Sequence, residues 1–312
     1  MVYNHITVMR NETVDLLQPL PGMTVADCTL GGCGHALSIC AKIMPNGLLI
    51  GIDQDQDAID NAHVMLKPFG ENVRIFHGNF IQLPEFLSQL GLTGVDAILA
   101  DLGLSLNQIE NSGRGFSFKR DEPLDMRMDT RTSLTAATII NNWSDRKLEH
   151  LFRKFGEERW ARPIARKIIT ARKQKPFTTS LQLAQFIVNT IPKGAIRSQS
   201  IHPATRVFMA LRIAVNHELE RLETFLETAI RLLNKKGRLC VLSFHSLEDR
   251  IVKHKFKALA IACTCPPRLP QCVCSKRPYI KLLTPKVKRP GKKEIEANPM
   301  ARSTRLRAAE KC

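Results

Sequence analysis

The sequence predicts an α/β fold in which a parallel sheet carries helices on both faces. Short apolar segments of strand length recur through the first hundred residues, helical segments separate them, and glycine- or proline-rich turns mark the boundaries. The chain has 312 residues, of which 44% are apolar, so one large domain or two domains fit its length. No run approaches the roughly 18 apolar residues of a membrane span, and we expect a cytoplasmic protein.

The predicted elements follow one another in the order that such a sheet requires. An apolar strand at 23–28 precedes a turn at 31–34 that contains three glycines. The next predicted elements are a helix at 35–43, a strand at 48–53, a helix at 57–66, and strands at 73–77 and 95–101. The second and fourth strands end in Asp53 and Asp101, at the sheet edge where α/β proteins place their chemistry.

The pattern changes after the fourth strand. Residues 106–134 are rich in charges and turn formers, and residues 135–200 are helical and basic. A long amphipathic helix is predicted from Thr205, because its apolar residues recur at helical steps, and a strand follows at 238–244. We therefore predict a sheet domain made of residues 1–105 and 205–312, with a mainly helical, basic substrate-recognition domain, 106–204, inserted into it. The basic, proline-containing residues from about 276 onwards are predicted to form an extended arm.

Charge is distributed unevenly between the two parts of the chain. Residues 1–105 hold 4 Lys and Arg against 11 Asp and Glu, whereas residues 106–312 hold 42 against 18. A strongly basic second part predicts an anionic polymer as partner, most simply a nucleic acid, and the alternative is a basic surface that only favours solubility.

The glycine turn and the acid that follows it predict a nucleoside cofactor. The turn lacks the G-x-G-x-x-G spacing that a dinucleotide's pyrophosphate requires, whereas S-adenosylmethionine has a ribose and an adenine but no phosphate. Asp53 is placed to bind the ribose hydroxyls, or else it caps the next helix. Phe80 packs either on adenine or in the core. Asp101 accepts a hydrogen bond from a substrate amine or a cofactor ammonium, or it is a further cap.

Several long motifs resemble the bacterial 16S ribosomal RNA cytosine-N4 methyltransferase family, known as RsmH or MraW. They are DCTLGGCGH, GIDQDQDAI, DLGLSLNQIENSGRGFSFKRDEPLDMRMD, HPATRVFMALRIAVNHELE, LSFHSLEDRIVK and NPMARSTRLRAAE. The resemblance extends over nearly the whole chain. It implies a Rossmann-like, S-adenosylmethionine-dependent methyltransferase with an inserted helical domain, whose substrate is the decoding-site cytidine at position 1402 of 16S rRNA in the small ribosomal subunit.

The resemblance also implies which residues bind the cofactor. Carried over motif by motif, they are Cys33, Gly34, His35, Asp53, Phe80, Asp101 and Gln108. The family commonly has Gly-Gly-His where this chain has Cys33-Gly34-His35, and a Cβ at that position is costly if the backbone has a positive φ. For the group that orients the cytosine amine, the sequence offers Asp101 first and His245 second, although His245 equally fits a role in fixing its loop.

Further candidates concern RNA and metal. Arg114, Lys119, Arg120, Arg127 and Arg131, together with the stretch from His202 to Arg206, are candidates for contacting RNA. The alternative for Asp125, Arg127 and Asp129 is a set of ion pairs that fixes an irregular loop. Cys263, Cys265, Cys272 and Cys274 have a spacing that could hold one zinc ion, but C-x-C is tighter than the usual C-x-x-C, so a metal-free loop is favoured.

Two rival functions remain open from the sequence. An oxidoreductase could use the same sheet, but the turn lacks dinucleotide spacing and the insert is basic. A ribosome-assembly factor with a vestigial cofactor pocket could bind RNA without catalysis, and Cys33 is the one sequence sign of such decay. Binding of S-adenosylmethionine and methyl transfer would separate these functions from a methyltransferase.

Overall fold

The computed structural model describes residues 7–197, 201–262, 265, 274 and 277–312. The chain divides into two compact units, one made of Met1–Gly103 and Leu219–Cys312 and the other of Leu104–Glu218. We call them the sheet unit and the helical unit. None of the described helices has the length and apolarity needed to cross a membrane.

The sheet unit contains a seven-stranded sheet in the order β3-β2-β1-β4-β5-β7-β6. Its strands are β1 (Thr24–Asp27), β2 (Leu48–Asp53), β3 (Val73–His77), β4 (Val95–Asp101), β5 (Leu233–Ser243), β6 (Ile280–Leu282) and β7 (Arg305–Lys311). β1 to β5 are parallel, and β7 runs antiparallel to both β5 and β6. The α/β fold class predicted from sequence is confirmed, with β7 as the strand that reverses direction.

Apolar residues cover both faces of this sheet, and the centre of β4 shows why it is apolar at every position. Ala97 and Leu99 belong to one buried cluster, whereas Ile98 and Ala100 belong to another. Successive side chains of a strand point to opposite faces, so the centre of a strand with helices on both sides needs apolar residues at consecutive positions. The predicted limits of β2, β3 and β4 agree with the structure.

The α-helices described for the sheet unit are α1 (Arg10–Leu17), α2 (Gly34–Ile43), α3 (Gln56–Met65), α4 (Leu83–Gln89), α12 (Glu218–Leu232), α13 (Ser246–Leu259) and α14 (Lys292–Ala297). The first residue of α12, Glu218, belongs to the helical unit. α3 begins after Asp55, whose side chain accepts the backbone N–H of Asp57 and so satisfies one of the free donors of the first turn.

The helical unit has its own buried core. Its helices are α5 (Leu106–Glu110), α6 (Ala136–Asn142), α7 (Asp145–Gly156), α8 (Ala161–Ala171), α9 (Ser180–Thr190), α10 (Lys193–Arg197) and α11 (Thr205–Asn216). Leu148 and Phe152 of α7 pack in one cluster with Ile164 of α8 and Phe208 and Leu211 of α11.

The predicted single helix from Thr205 is wrong, and so is the domain boundary placed at 204/205. His217 has φ 51° and ends α11, after which α12 starts at Glu218. Because the apolar face of α11 packs in the core of the helical unit, the boundary lies between Glu218 and Leu219. The apolar period continues through the break, so periodicity alone could not reveal it.

The predicted C-terminal arm is also wrong. β7 pairs with β5 from Arg305 to Glu310 and with β6 on its other side. Leu306, Ala308 and Ala309 are at most 1% exposed. These small and apolar residues alternate with charged ones, a strand pattern that the strongly basic composition of the segment concealed.

Candidate active site

Three aspartates gather at the carboxyl edge of the parallel strands. Asp27 ends β1, Asp53 ends β2 and Asp101 ends β4. β1 pairs with both β2 and β4, so the three carboxylates follow neighbouring strands of one sheet. Open α/β sheets bind their ligands outside this edge.

The glycine turn after β1 has the backbone conformation that makes Cys33 unusual. Cys33 is fully buried at the N-cap of α2, with φ 64° in the left-handed region. The amide nitrogen of Asn61 lies 3.7 Å from its sulfur, and burial raises the pKa of the Cys33 thiol to about 12. The turn therefore keeps a conformation that suits glycine, with a neutral thiol in the core. At Gly34, an added Cβ would overlap the side chain of Thr7.

Asp53 holds this turn in place. Its carboxylate accepts the backbone N–H of Gly31 at 2.9 Å and that of Asp55 at 2.9 Å. Burial raises the pKa of Asp53 to about 6, so at neutral pH most molecules carry the ionised form. A carboxylate has about four acceptor positions, and two bonds leave capacity for the hydroxyls of a ribose.

A second group of side chains lies buried without hydrogen-bond partners. His35, at the start of α2, is 5% exposed, and its Nε2 lies 3.5 Å from Oδ2 of Asp101. Within the described part of the chain, Asp27 Oδ2, both ring nitrogens of His35 and Asp101 Oδ1 are buried and accept or donate no hydrogen bond. Buried polar groups are normally hydrogen-bonded, so this set indicates a ligand that supplies both donors and acceptors.

Asp27 is the site residue that the sequence analysis missed. Burial raises the pKa of Asp27 to about 7, while the nearby His35 opposes this rise. The sequence contained a pattern that could have identified Asp27, because this acid ends an otherwise apolar strand shortly before the glycine turn. Thr29 was also missed, and its hydroxyl accepts the backbone N–H of Asp101 at 2.6 Å, which fixes the end of β4 against the turn.

The ends of β2 and β3 form a second part of the site. Phe80 is partly buried, with its ring centroid 4.9 Å from that of Phe225 on α12. Beside it, the side-chain oxygen of Gln54 accepts the amide of Asn79 at 2.9 Å and the guanidinium of Arg221 at 3.2 Å. Phe80 thus lies at the edge of the core rather than inside it, which suits a ring that packs against adenine.

Gln108 and His245 are both engaged in helix caps. In the helical unit, Gln108 forms a reciprocal capping box with Ser105 at the start of α5. In the sheet unit, Nδ1 of His245 accepts the backbone N–H of Glu248 at 3.4 Å, and Glu248 accepts the backbone N–H of Phe244 at 2.9 Å. Nδ1 of His245 therefore serves the N-cap of α13, whereas its Nε2 is buried without a hydrogen-bond partner, 3.3 Å from Oε1 of Glu248. Its catalytic role stays a prediction.

The arginines of the loop before α6 are bound within the helical unit. Arg127 forms a two-point ion pair with Asp125 and donates to the carbonyls of Thr130 and Thr132. Arg114 donates to the carbonyls of Arg127 and Met128. Arg131 pairs with Asp129, and Arg120 donates to the carbonyl of Glu110. The side chain of Asn216 joins Met126 to Met128, so this set of contacts fixes an irregular loop.

The stretch from His202 also has a packing role. His202 stacks on Phe118 with ring centroids 4.4 Å apart, and its Nδ1 accepts the backbone N–H of Ala204. Cys263 and Cys272 lie outside the described residues, so the metal-free loop stays the prediction and the four-thiol zinc site stays its alternative.

Comparisons with known proteins agree with the geometry. The sequence profile described as the MraW methylase family matches residues 2–312. A protein of Desulforapulum autotrophicum called ribosomal RNA small subunit methyltransferase H is 54% identical over 309 residues, which cover 99% of each chain. Proteins of the same name from Desulfosudis oleivorans and Trichlorobacter lovleyi are 54% and 48% identical. These alignments cover 100% of both chains in the first case, and 99% of this chain and 98% of the relative in the second.

Proposed function

The chain belongs to the MraW methylase family, and from this premise we propose that it methylates N4 of the cytidine at position 1402 of 16S rRNA within the small ribosomal subunit. It is an enzyme, and its methyl donor is S-adenosyl-L-methionine. Support for this target comes from the long motifs that resemble the cytosine-N4 family and from the names of the relatives, which act on small-subunit rRNA. An oxidoreductase and a non-enzymatic assembly factor are not favoured.

The observation that carries this proposal is a set of buried polar atoms without hydrogen-bond partners: Asp27 Oδ2, the ring nitrogens of His35 and Asp101 Oδ1. S-adenosylmethionine carries an ammonium, a carboxylate and two ribose hydroxyls. Asp27 and Asp101 offer acceptors to a cation, the ring N–H of His35 offers a donor to a carboxylate, and Asp53 offers acceptors to the ribose. These residues fit the cofactor, with Phe80 against its adenine and the backbone of Cys33 and Gly34 beside it, and Gln108 is proposed as a further contact.

When bound, the cofactor supplies a methyl group on a positively charged sulfur. The exocyclic amine of cytosine is a weak nucleophile, because its lone pair is delocalised into the ring. Asp101 accepts a hydrogen bond from this amine and directs its lone pair outwards. Holding two reacting atoms in line contributes up to about 7–11 kcal/mol in favourable systems, so no covalent intermediate with the protein is needed.

Proton transfer follows from the same residue. With the cofactor held by Asp27, His35 and Asp53, the methyl group would be supplied in line with the amine nitrogen, and Asp101 would accept the one proton that the nitrogen loses on methylation. Because the amine becomes acidic only as the new bond forms, an ordinary carboxylate suffices. Asp101 is therefore our first candidate for the amine-orienting group, and His245 remains the second.

Methyl transfer to isolated subunits tests the proposal. Small subunits from a strain that lacks this modification would be incubated with tritium-labelled S-adenosylmethionine and the protein, and the labelled nucleotide would be located by mass spectrometry. We expect one methyl group on the cytidine at position 1402, and slower transfer to naked rRNA fragments. Label on another nucleotide would contradict the proposed target. Equal rates of transfer to a short oligonucleotide and to the subunit would contradict the proposal that the assembled subunit is the substrate.

A further inference from the structure

We propose that the exposed face of α8, formed by Arg162, Arg166 and Lys167 and called here the α8 basic face, binds the phosphate backbone of the RNA substrate. This inference rests on the proposed function, since it names the surface of the helical unit that contacts the rRNA. It differs from the sequence-based expectation, which placed the RNA contacts in the loop before α6 and in the stretch from His202 to Arg206.

The pattern of burial defines this face. Ala161, Ile164, Ala165 and Ile168 are at most 1% exposed and pack in the core of the helical unit. The three cations lie on the other side of the helix, where all are exposed. Arg162 and Arg166 are four residues apart, which places them about 6 Å apart along the helix axis.

The surroundings of α8 are strongly basic as well. Between residues 144 and 175, ten Lys and Arg side chains are exposed against the two exposed carboxylates of Asp145 and Glu157. α8 itself contains no acidic residue. Among the residues that the structure describes, no carboxylate pairs with any side chain of the α8 basic face, in contrast to Arg153 on α7, which pairs with Glu149.

The charges of the α8 basic face do not stabilise the protein in the absence of a partner. Like charges at positions i and i+4 of a helix destabilise it by roughly 0.2–0.5 kcal/mol per pair. Arg162 also lies in the first turn, where the helix dipole disfavours a cation. A polyanion relieves both effects, and arginine binds phosphate through two parallel hydrogen bonds.

The loop arginines are poor candidates for the same role. Arg127 already directs its guanidinium to one carboxylate and two carbonyls, and Arg114 is only 9% exposed. An arginine in such contacts would have to give them up before it could bind a phosphate. Within the described part of the chain, the side chains of the α8 basic face make no such hydrogen bonds or ion pairs. They can therefore bind RNA phosphates without breaking contacts inside the protein.

A pair of charge-matched double variants tests the inference. The test variant is Arg162→Gln with Arg166→Gln, and the control is Arg10→Gln with Arg231→Gln. Both remove two exposed arginines, but the control arginines belong to the sheet unit and to no surface that is a candidate for contacting RNA. Binding to small subunits would be measured across a range of salt concentrations, with melting temperature and cofactor affinity as checks that both variants fold.

Each phosphate contact contributes about 0.7–0.9 to the slope of log affinity against log salt. The test variant should therefore lose about 1.4–1.8 from this slope, which corresponds to roughly 25–60-fold weaker binding at 0.1 M salt. The control should keep the wild-type slope. Equal slopes in the two double variants would overturn the inference.

A second probe distinguishes RNA from an acidic ribosomal protein as the partner. Naked 16S rRNA transcript should show the same loss of slope as the subunit, and a loss confined to the subunit would overturn the inference in favour of a protein contact. Failure of the proposed function has a different signature, because wild-type protein would then bind subunits without methylating the target cytidine.

Discussion

The helical unit and the sheet unit differ in how the charged side chains of two regions are hydrogen-bonded. In the loop before α6, Asp125 and Arg127 satisfy each other, and the remaining donors of Arg127 bond to backbone carbonyls. At the carboxyl edge of the sheet, His35 and Asp101 lie 3.5 Å apart, yet Asp27 Oδ2, the ring nitrogens of His35 and Asp101 Oδ1 are buried without hydrogen-bond partners.

This difference separates structural charges from functional ones. Both regions lie in motifs that resemble the family strongly, so motif specificity alone does not tell them apart. A satisfied network stabilises its own loop, whereas an unsatisfied buried group raises the free energy of the empty protein until a ligand binds. Substitutions in the loop should therefore affect folding, and substitutions at the sheet edge should affect binding and catalysis.

The largest effect is expected at Asp101. In Asp101→Asn the side chain keeps its size but loses the charge that accepts the amine proton, so the rate of methyl transfer should fall on the order of 10³-fold. Single-turnover transfer of labelled methyl groups measures this rate at saturating cofactor. Asp96→Asn is the matched control, because Asp96 lies on the same strand and bonds to Thr24 and Asn234. Equal losses in the two variants would argue against the role of Asp101.

The ionised carboxylate of Asp27 should destabilise the cofactor-free protein, whereas a carboxylate with a lowered pKa stabilises a folded protein at neutral pH. Its pKa is raised to about 7 in the folded protein, so the folded state binds the proton more tightly than the unfolded state. The wild-type protein therefore loses stability as pH rises from about 4 to about 7. Asp27→Asn should raise the free energy of unfolding of the cofactor-free protein at pH 8 by on the order of 3 kcal/mol, with no gain near pH 4.

The same Asp27→Asn variant should bind S-adenosylmethionine more weakly, because it removes a negative charge that faces the cofactor's ammonium. Denaturation at several pH values and calorimetry with the cofactor provide the two measurements. A variant that is destabilised at pH 8 would contradict this expectation, because it would show that the ionised carboxylate, which accepts the backbone N–H of Thr29, stabilises the fold.

Arg127 tests the other side of the comparison. Arg127→Met removes a two-point ion pair and two bonds to carbonyls, so we expect a loss of about 2 kcal/mol in unfolding free energy. Cofactor affinity should stay the same. Arg131→Met is the control, since the side chain of Arg131 is 54% exposed and such pairs contribute roughly 0–1 kcal/mol. Weaker RNA binding by a fully stable Arg127→Met protein would instead assign this arginine to the substrate.

The smallest effect is expected at Cys33. Cys33→Gly relieves a left-handed backbone that disfavours a side chain by about 1–2 kcal/mol, but it also removes a buried thiol from the core. These two contributions oppose each other, so unfolding free energy should change by less than about 1 kcal/mol. Cofactor affinity should not weaken, because glycine adopts the same turn readily. A tenfold weaker affinity would mean that the thiol itself supports the pocket.

Much of the sheet and of the cofactor site followed from the sequence. The centres of β2 and β4 are apolar at consecutive positions because they are buried on both faces, and that pattern is visible without a structure. Asp53 and Asp101 were predicted for the same reason, since each polar residue ends such an apolar segment. Cys33 was expected to be costly at a positive φ, and its φ of 64° confirms the premise of that expectation.

The C-terminal strand, the break between α11 and α12 and the contacts of the arginines could be determined only from the tertiary structure. Composition suggested an extended arm for the segment that in fact forms β7, between β5 and β6. Composition could not reveal this strand, because β7 pairs with residues of β5 that lie more than 60 positions earlier in the sequence. Periodicity ran through the break at His217, since both helices bury apolar faces, but in the cores of different units. The arginines of the loop and those of α8 have the same chemistry in sequence. Only the folded chain determines which guanidinium groups are already hydrogen-bonded and which are left exposed, because that depends on the carboxylates and carbonyls that folding brings within reach.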